Sequence, residues 1–215
     1  MTVLVMALLL AHLLADFVFQ RRVVVQGKGS RRWRSHAEHA VLHLVAAEAA
    51  LAVFTSVDLR VPTAQGLLLV YVLTLTLIDM LKAEVEQRQR TARRWTPFVL
   101  DQLVHLGVIL ALAWVLEGGP PAIQAARQLW QPVSGRVLTI AVVYVGTVCG
   151  AGYLNGVLLS RWAQRLRQGR ADQDTGLEDA GLYIGWLERF LVLTAVMIGS
   201  PEAAVIRTYL DTCLE

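Results

Sequence analysis

The sequence predicts an all-α protein, a polytopic transmembrane helical bundle that forms a single domain over residues 1–215. Of its 215 residues, 55% are hydrophobic and only 17% are charged, and the mean hydropathy is +0.50. A soluble domain has about 25% charged residues, so a bilayer is the solvent that explains this composition. The apolar residues also fall into about six stretches, each close to the roughly 20 residues that cross the hydrocarbon core. Because lipid cannot satisfy backbone hydrogen bonds, such stretches are helical.

Six membrane helices are expected along the chain. We place them at residues 2–20, 35–57, 64–83, 96–116, 136–159 and 183–198. The Gly118-Gly119-Pro120-Pro121 stretch ends the fourth helix, because glycine and proline both disfavour a helix interior. The segment from Ala122 to Trp130 that follows is predicted to lie as an amphipathic helix at the membrane interface.

The basic residues predict how these helices are oriented. Of the 20 Lys and Arg residues, 15 lie in or beside the loops after helices one, three and five. Cytoplasmic loops carry an excess of Lys and Arg, so loops 21–35, 84–95 and 160–180 are predicted to be cytoplasmic and both termini outside. We therefore expect a multi-pass protein of the cell inner (cytoplasmic) membrane, with the lipid bilayer as its partner. The same loops explain the net charge of +3, so no nucleic-acid partner is expected.

Ionisable and polar side chains occur inside the predicted membrane helices, where a charged group costs several kcal/mol and indicates a functional site. Taken helix by helix they are His12, Asp16 and Gln20; His36, His39 and His43; Asp79 and Lys82; Asp101, Gln102 and His105; and Glu188 and Arg189. Spacings of three and four residues place the members from one helix on one face. In the predicted topology every member lies at the cytoplasmic end of its helix, so we expect one shared pocket beneath the inner headgroups.

Histidine and aspartate one helical turn apart can bind one cation together, and the mixture suits zinc or another first-row divalent ion. The predicted metal ligands are His12, Asp16, His36, His43, Asp79, Asp101 and His105, and the predicted catalytic residues are Asp16, Asp101 and His105. A bound ion would activate water for hydrolysis of esters and phosphoesters. The sequence lacks the His-Glu-x-x-His signature of zinc proteases, which disfavours peptide hydrolysis. Alternatively, each aspartate only orients its histidine.

Simpler interpretations stay open for several of these residues. His36 and His39 lie at the water boundary, where contact with lipid headgroups explains them equally well, and we leave His39 out of the ligand set. Lys82 either extends to the headgroups or neutralises Asp79. Glu188 and Arg189 fit an ion pair at a helix start better than a catalytic role.

Two sets of residues resemble those of a membrane family. The first comprises Ala11-His12-Leu13-Leu14-Ala15-Asp16-Phe17, Gln20, His36, His43, Asp79, Lys82, Asp101-Gln102 and His105, and the second is Gly181-Leu-Tyr-Ile-Gly-Trp-Leu-Glu-Arg189. Both resemble the uncharacterised integral-membrane family called domain of unknown function 3307, which implies an architecture and no activity. The His-x-x-x-Asp pattern is more distantly similar to that of inner-membrane proteins labelled metal-dependent hydrolases. Leu75 departs from the family, whose members often have a histidine four residues before the aspartate of the third helix.

Three functions are compatible with the sequence. The leading one is a membrane-embedded, metal-dependent hydrolase that opens to the cytoplasmic leaflet and acts on a lipid-like or phosphorylated substrate. The second is a proton- or ion-coupled transporter, because histidine and aspartate in membrane helices also relay protons; the one-sided placement of the polar residues disfavours it. The third is a non-catalytic scaffold whose basic loops dock a cytosolic partner.

Overall fold

The fold is all-α, as the sequence predicts. A computed structural model describes residues 2–19, 33–88, 95–118, 135–168 and 180–199, and within these ranges the chain forms six helices and no β-strand. Helix α1 comprises an α-helix at Thr2–Leu13 and a π-helical turn at Leu14–Val18. Helices α2, α3 and α4 are Trp33–Phe54, Pro62–Arg88 and Trp95–Gly118. Helix α5 comprises Gly135–Val145, a π-helical turn at Gly146–Gly150 and Ala151–Gln168, and α6 is Ala180–Met197.

Four of these helices are long and apolar enough to cross a bilayer. The four spans are Trp33–Phe54, Pro62–Val85, Thr96–Glu117 and Gly135–Leu159, and a shorter apolar helix covers Val3–Val18. Their length and composition match the roughly 20 residues that a span requires. The chain is therefore a helical membrane protein.

Three helices extend into segments that the sequence predicts as loops. Helix α2 begins at Trp33, α3 continues to Arg88, and α5 continues to Gln168. Part of each predicted loop, at 21–35, 84–95 and 160–180, is therefore helical. Lys, Arg, Glu and Gln have high helix propensities. A helix can therefore continue through polar residues beyond its apolar stretch, and polarity alone does not mark its end. The predicted interfacial helix from Ala122 to Trp130 lies outside the described residues.

The chain divides into two compact units, Met1–Val142 and Val143–Glu215, and the single domain remains a prediction. In the first unit α1 packs against α2, α2 against α3, α3 against α4, and α1 also against α4, so the four helices close into a ring. Small residues make the contact of α1 close, since Ala7, Ala11 and Ala15 are almost fully buried. Small side chains allow membrane helices to approach each other closely.

The packing of the four-helix ring is inverted relative to a soluble bundle. Large apolar side chains such as Val41, Leu73 and Trp114 point outwards and are more than half exposed. The polar residues are inside, where His12, His43 and His105 have at most 2% of their surface exposed. An apolar exterior around a polar interior is what a bilayer favours, because an ionisable group facing lipid is costly.

In the second unit, Arg189 of α6 contacts the π-helical turn of α5. Its Nε atom donates a hydrogen bond to the carbonyl oxygen of Val148 over 2.9 Å. The guanidinium lies over two glycines, because a Cβ atom added at Gly152 would be 2.5 Å from Nη2 and one added at Gly185 would be 3.3 Å from Nη1 and Nη2. The glycines therefore make room for a charged side chain in the middle of an apolar helix pair.

Gly152→Ala should destabilise the protein by displacing the Arg189 guanidinium from its carbonyl. A hydrogen bond to a charged group contributes about 1.5–3 kcal/mol, so we expect a loss of about 1.5 kcal/mol relative to the control Gly156→Ala. Gly156 lies one turn further along α5 and has no atom within 4 Å of an added Cβ. Thermal unfolding in detergent measures both variants, and equal melting temperatures would contradict this account of Arg189.

Candidate metal centre

The four helices of the first unit bring their polar residues to one end of the ring. The contributing positions are the last turns of α1, the second half of α3 and the first turns of α2 and α4, which meet because consecutive helices run in opposite directions. We call the following set the His/Asp cluster: His12, Asp16, His39, His43, Asp79, Asp101 and His105. Residues far apart in the chain are thereby gathered into one polar interior.

Asp16 and two histidines of α2 form the tightest part of the cluster. The Oδ1 atom of Asp16 is 3.0 Å from Nε2 of His43 and 3.1 Å from Nε2 of His39. The two imidazole Nε2 atoms are 2.9 Å apart, and their rings meet edge to face with centroids 4.4 Å apart. Three ligand-type atoms from α1 and α2 thus form a nearly equilateral triangle.

Asp79 of α3 joins this triangle to His105 of α4. Its Oδ2 atom is 3.4 Å from Nε2 of His39, and its Oδ1 atom is 3.9 Å from Nε2 of His105. The two oxygens of one carboxylate therefore face two different imidazoles. Asp79 is only 9% exposed, so its charge needs a partner inside the ring.

His105 is oriented as a metal-binding histidine would be. It is fully buried, and its Nδ1 atom lies 2.8 Å from the backbone carbonyl oxygen of Asp101, to which it donates. That hydrogen bond leaves the lone pair on Nε2, a buried atom with no hydrogen-bond partner in the described part of the chain. A backbone carbonyl that holds the second ring nitrogen is the usual support of a metal ligand. The Nδ1 atoms of His12 and His39 have no such acceptor among the described residues.

Asp101 is held at one of its two oxygens. Lys82 donates to Oδ2 over 2.8 Å, and Gln102 donates to the same oxygen over 3.3 Å. The other oxygen, Oδ1, is buried and has no hydrogen-bond partner within the described ranges. Lys82 also lies 5.5 Å from the centre of the Phe98 ring, a cation–π distance. Lys82 therefore forms an ion pair with Asp101, a partner that the sequence does not predict.

Gln102 and His12 complete the cluster on the α1 side. Gln102 donates from Nε2 to Oδ2 of Asp16 over 3.3 Å, and its Oε1 atom lies 3.2 Å from Nε2 of His12. Nε2 of His12 is also 3.7 Å from Oδ2 of Asp16. Asp16 sits in the π-helical turn of α1, which Phe19 closes by donating to the carbonyl of Leu14. Single π-helical turns occur frequently at functional sites.

The ligand spacing fits a first-row divalent ion. A tetrahedral zinc ion with ligands at about 2.0–2.1 Å separates its ligand atoms by about 3.3 Å, and an octahedral ion does so by about 3.0 Å. The triangle of Asp16, His39 and His43 has edges of 2.9 to 3.1 Å. Two imidazoles and a carboxylate on one face are a recognised donor set for such ions. The arrangement can therefore hold a metal.

The structure brings six of the seven predicted ligands into two groups. His12, Asp16 and His43 form one group, and Asp79, Asp101 and His105 form the other, each with ligand atoms within 4.8 Å of one another. His36 is buried one turn before His39 but belongs to neither group. Leu75, where family members often have histidine, is buried one turn before Asp79 on α3, so it places an apolar side chain at that position.

The sequence does not predict the roles of two residues in the cluster. It leaves His39 out of the ligand set, but His39 is 3% exposed and contacts both Asp16 and Asp79. The spacing of His36, His39 and His43 indicated one face but not which two would converge. The sequence gives Gln102 no role of its own, but in the structure it connects α4 to α1 through its hydrogen bonds with Asp16 and His12. Gln20 lies outside the described residues, and Glu188 and Arg189 belong to the second unit.

Comparison with known protein families gives one match. The model of the family described as protein of unknown function (DUF3307) matches residues 4–131, more than half of the chain. The matched segment includes every member of the His/Asp cluster. No curated protein and no solved structure matches the chain.

Lys82→Met should destabilise the protein by leaving the buried Asp101 carboxylate without its cation. Removing one partner of a buried ion pair costs about 3–5 kcal/mol, and we expect a loss of about 3 kcal/mol. The lower end applies because 22% of the Lys82 side chain is exposed and Gln102 still donates to Asp101. Unfolding in mixed micelles, with chelator present, measures the change.

The control for this prediction is the double variant Lys82→Met/Asp101→Asn, which removes both charges. It should recover most of the lost stability, because an amide tolerates burial without a cation. If the single and double variants unfold at the same denaturant concentration as the unmodified protein, the Lys82–Asp101 pair does not stabilise the fold.

Proposed function

The chain belongs to the family of unknown function DUF3307, which brings no activity with it, and we propose a function from the geometry of the His/Asp cluster. We infer that the protein is a membrane-embedded, metal-dependent hydrolase. Its cluster faces the cytoplasmic side of the inner membrane and acts on a lipid-like or phosphorylated substrate. The ion is a first-row divalent metal such as zinc.

The observation that carries this proposal is the triangle of Asp16 Oδ1, His39 Nε2 and His43 Nε2, with edges of 2.9 to 3.1 Å. These three atoms would hold the ion on one face and leave other positions for water and substrate. A divalent ion in such an open site supplies a Lewis acid and an activated water near neutral pH. His105 and Asp79 extend the donor set on the side of α3 and α4.

The surrounding residues have roles that suit hydrolysis. Asp101 keeps one buried oxygen, Oδ1, without a hydrogen-bond partner in the described residues, so that oxygen is the candidate general base for a water proton. Lys82 and Gln102 hold the other oxygen and fix the carboxylate. The side chains of Asp16 and Lys82 remain 13% and 22% exposed, so they form the rim through which a substrate would enter.

The position of the cluster supports a substrate that approaches along the membrane. The cluster occupies one end of helices that are long enough to span a bilayer, and the basic residues beside that end are predicted to be cytoplasmic. Beyond the cluster most buried side chains of the described core are apolar, with Leu8, Leu51 and Ile109 fully buried; Tyr71 adds one buried hydroxyl. A transport pathway needs polar groups across the full depth of the membrane, so the apolar core favours hydrolysis over transport.

The metal content of the purified protein tests the first half of the proposal. Protein purified in detergent without added chelator should contain at least one first-row divalent ion per chain by elemental analysis. His39→Ala/His43→Ala should lose that ion, because it removes two corners of the triangle. Glu48→Gln, which removes a carboxylate from the same helix outside both ligand groups, should retain it. Metal-free protein that binds no added zinc would contradict the proposal.

The hydrolytic activity tests the second half. Release of phosphate from phosphatidic acid in mixed micelles should stop on chelation and return with zinc, and Asp101→Asn should lower the rate about 10²- to 10⁴-fold, the usual contribution of a general base. Asp58→Asn, in the connection between α2 and α3, is the matched control. A metal-loaded protein that releases no phosphate but carries cation flux in proteoliposomes would instead be a transporter, and metal loading with neither activity would favour a scaffold.

A further inference from the structure

We propose that the His/Asp cluster holds two divalent ions, bridged by the carboxylates of Asp16 and Asp79. This inference rests on the proposed metal-binding function and deepens it by assigning a second metal site. The first ion would lie at His39 and His43 and the second at His12 and His105. The argument uses the two oxygens of each carboxylate, the pairing of the imidazoles and the charges within the ring.

Asp16 directs its two oxygens to different histidines. Its Oδ1 atom contacts His39 and His43 at 3.1 and 3.0 Å. Its Oδ2 atom lies 3.7 Å from Nε2 of His12 and accepts a hydrogen bond from Gln102 over 3.3 Å. The two oxygens of Asp16 thus face imidazole nitrogens of two different helices, as those of a carboxylate bridging two ions would.

Asp79 repeats this arrangement from the opposite wall of the ring. Its Oδ2 atom faces Nε2 of His39 at 3.4 Å, and its Oδ1 atom faces Nε2 of His105 at 3.9 Å. Asp16 and Asp79 come from different helices, yet both present one oxygen to the His39 and His43 side and one to the His12 and His105 side. This is the arrangement of two bridging carboxylates.

The shortest ring separations give the two pairs that this arrangement requires. His39 and His43 have ring centroids 4.4 Å apart, and His12 and His105 are stacked with centroids 5.1 Å apart. His12 also stacks on His43, with centroids 5.6 Å apart, so the two pairs adjoin. The Nε2 atom of His105 carries its lone pair inwards and has no hydrogen-bond partner among the described residues. At 3.9 Å it faces Oδ1 of Asp79, which is also an acceptor, and a cation between these two atoms would be bound by both.

The charges within the ring indicate what completes such a centre. Two divalent ions bring four positive charges, and Asp16 and Asp79 supply two negative ones, while Asp101 is neutralised by Lys82 over 2.8 Å. Neutral histidines leave an excess of positive charge, so the remaining coordination positions favour an anion. Paired ions of this kind commonly bind phosphate esters, where they stabilise the attacking and leaving oxygens.

The number and coupling of bound Mn²⁺ ions test the inference. Metal-depleted, full-length protein in detergent is titrated with Mn²⁺, and binding and the electron paramagnetic resonance spectrum are recorded. We expect two ions per chain and an exchange-coupled spectrum, because a shared carboxylate couples the two electron spins. His12→Ala/His105→Ala should bind one ion with the six-line spectrum of isolated Mn²⁺, and Glu48→Gln should still bind two coupled ions.

The outcomes separate this inference from the proposed function. One ion per chain in the unmodified protein, with an uncoupled spectrum, would overturn the two-ion centre and leave the single-metal proposal standing. No bound ion would overturn both. Two ions without coupling would overturn the bridging role of Asp16 and Asp79. The unmodified protein alone decides these results, so the inference stays testable even if the double variant fails to fold.

Discussion

The contact of Asp16 Oδ1 with the Nε2 atoms of His39 and His43, at 3.0 to 3.1 Å, joins the end of α1 to the beginning of α2 inside an apolar environment. In a bilayer, ionisable groups cannot face lipid without a cost of several kcal/mol. The carboxylate and the imidazoles therefore turn inwards, and each needs a partner on another helix. The same need for a partner inside the ring applies on α3 and α4, to Asp79, Asp101 and His105. The closed ring of four helices is the arrangement in which all of these groups have neighbours.

The second unit also places a charged side chain between apolar helices, but it pairs that side chain with a backbone carbonyl instead of another side chain. Arg189 lies in the middle of α6 and donates to a carbonyl of the π-helical turn of α5 over 2.9 Å, in a space left open by Gly152 and Gly185. The first unit also has a π-helical turn, at the position of Asp16. In both units, a local widening of a helix coincides with a charged side chain that has been drawn into the helix packing. A π-helical turn thus lies at or beside a charged side chain in each unit.

The sequence predicted the helices and the site more completely than it predicted the pairing within the site. All six helices lie where the hydrophobic stretches predict them, although only four in the described residues are long and apolar enough to span a bilayer. The spacing of four residues in His12 and Asp16 or Asp101 and His105 identified two faces correctly. The partner of each residue depends on how the helices rotate about their axes. This is why the sequence does not identify the contact of Lys82 with Asp101 and leaves His39 out of the ligand set. Helix ends were also misplaced where charged residues such as Arg88 continue a helix beyond the apolar stretch.

X-ray absorption spectroscopy of the purified protein, at the edge of the metal that it contains, tests the central claim most directly. The account predicts a first shell of nitrogen and oxygen atoms at about 2.0–2.2 Å, with the outer-shell scattering that imidazole rings produce. A spectrum of sulfur ligands, or of an ion surrounded only by water oxygens, would contradict it. In that case the histidines and aspartates of the ring would serve only to hold four membrane helices together.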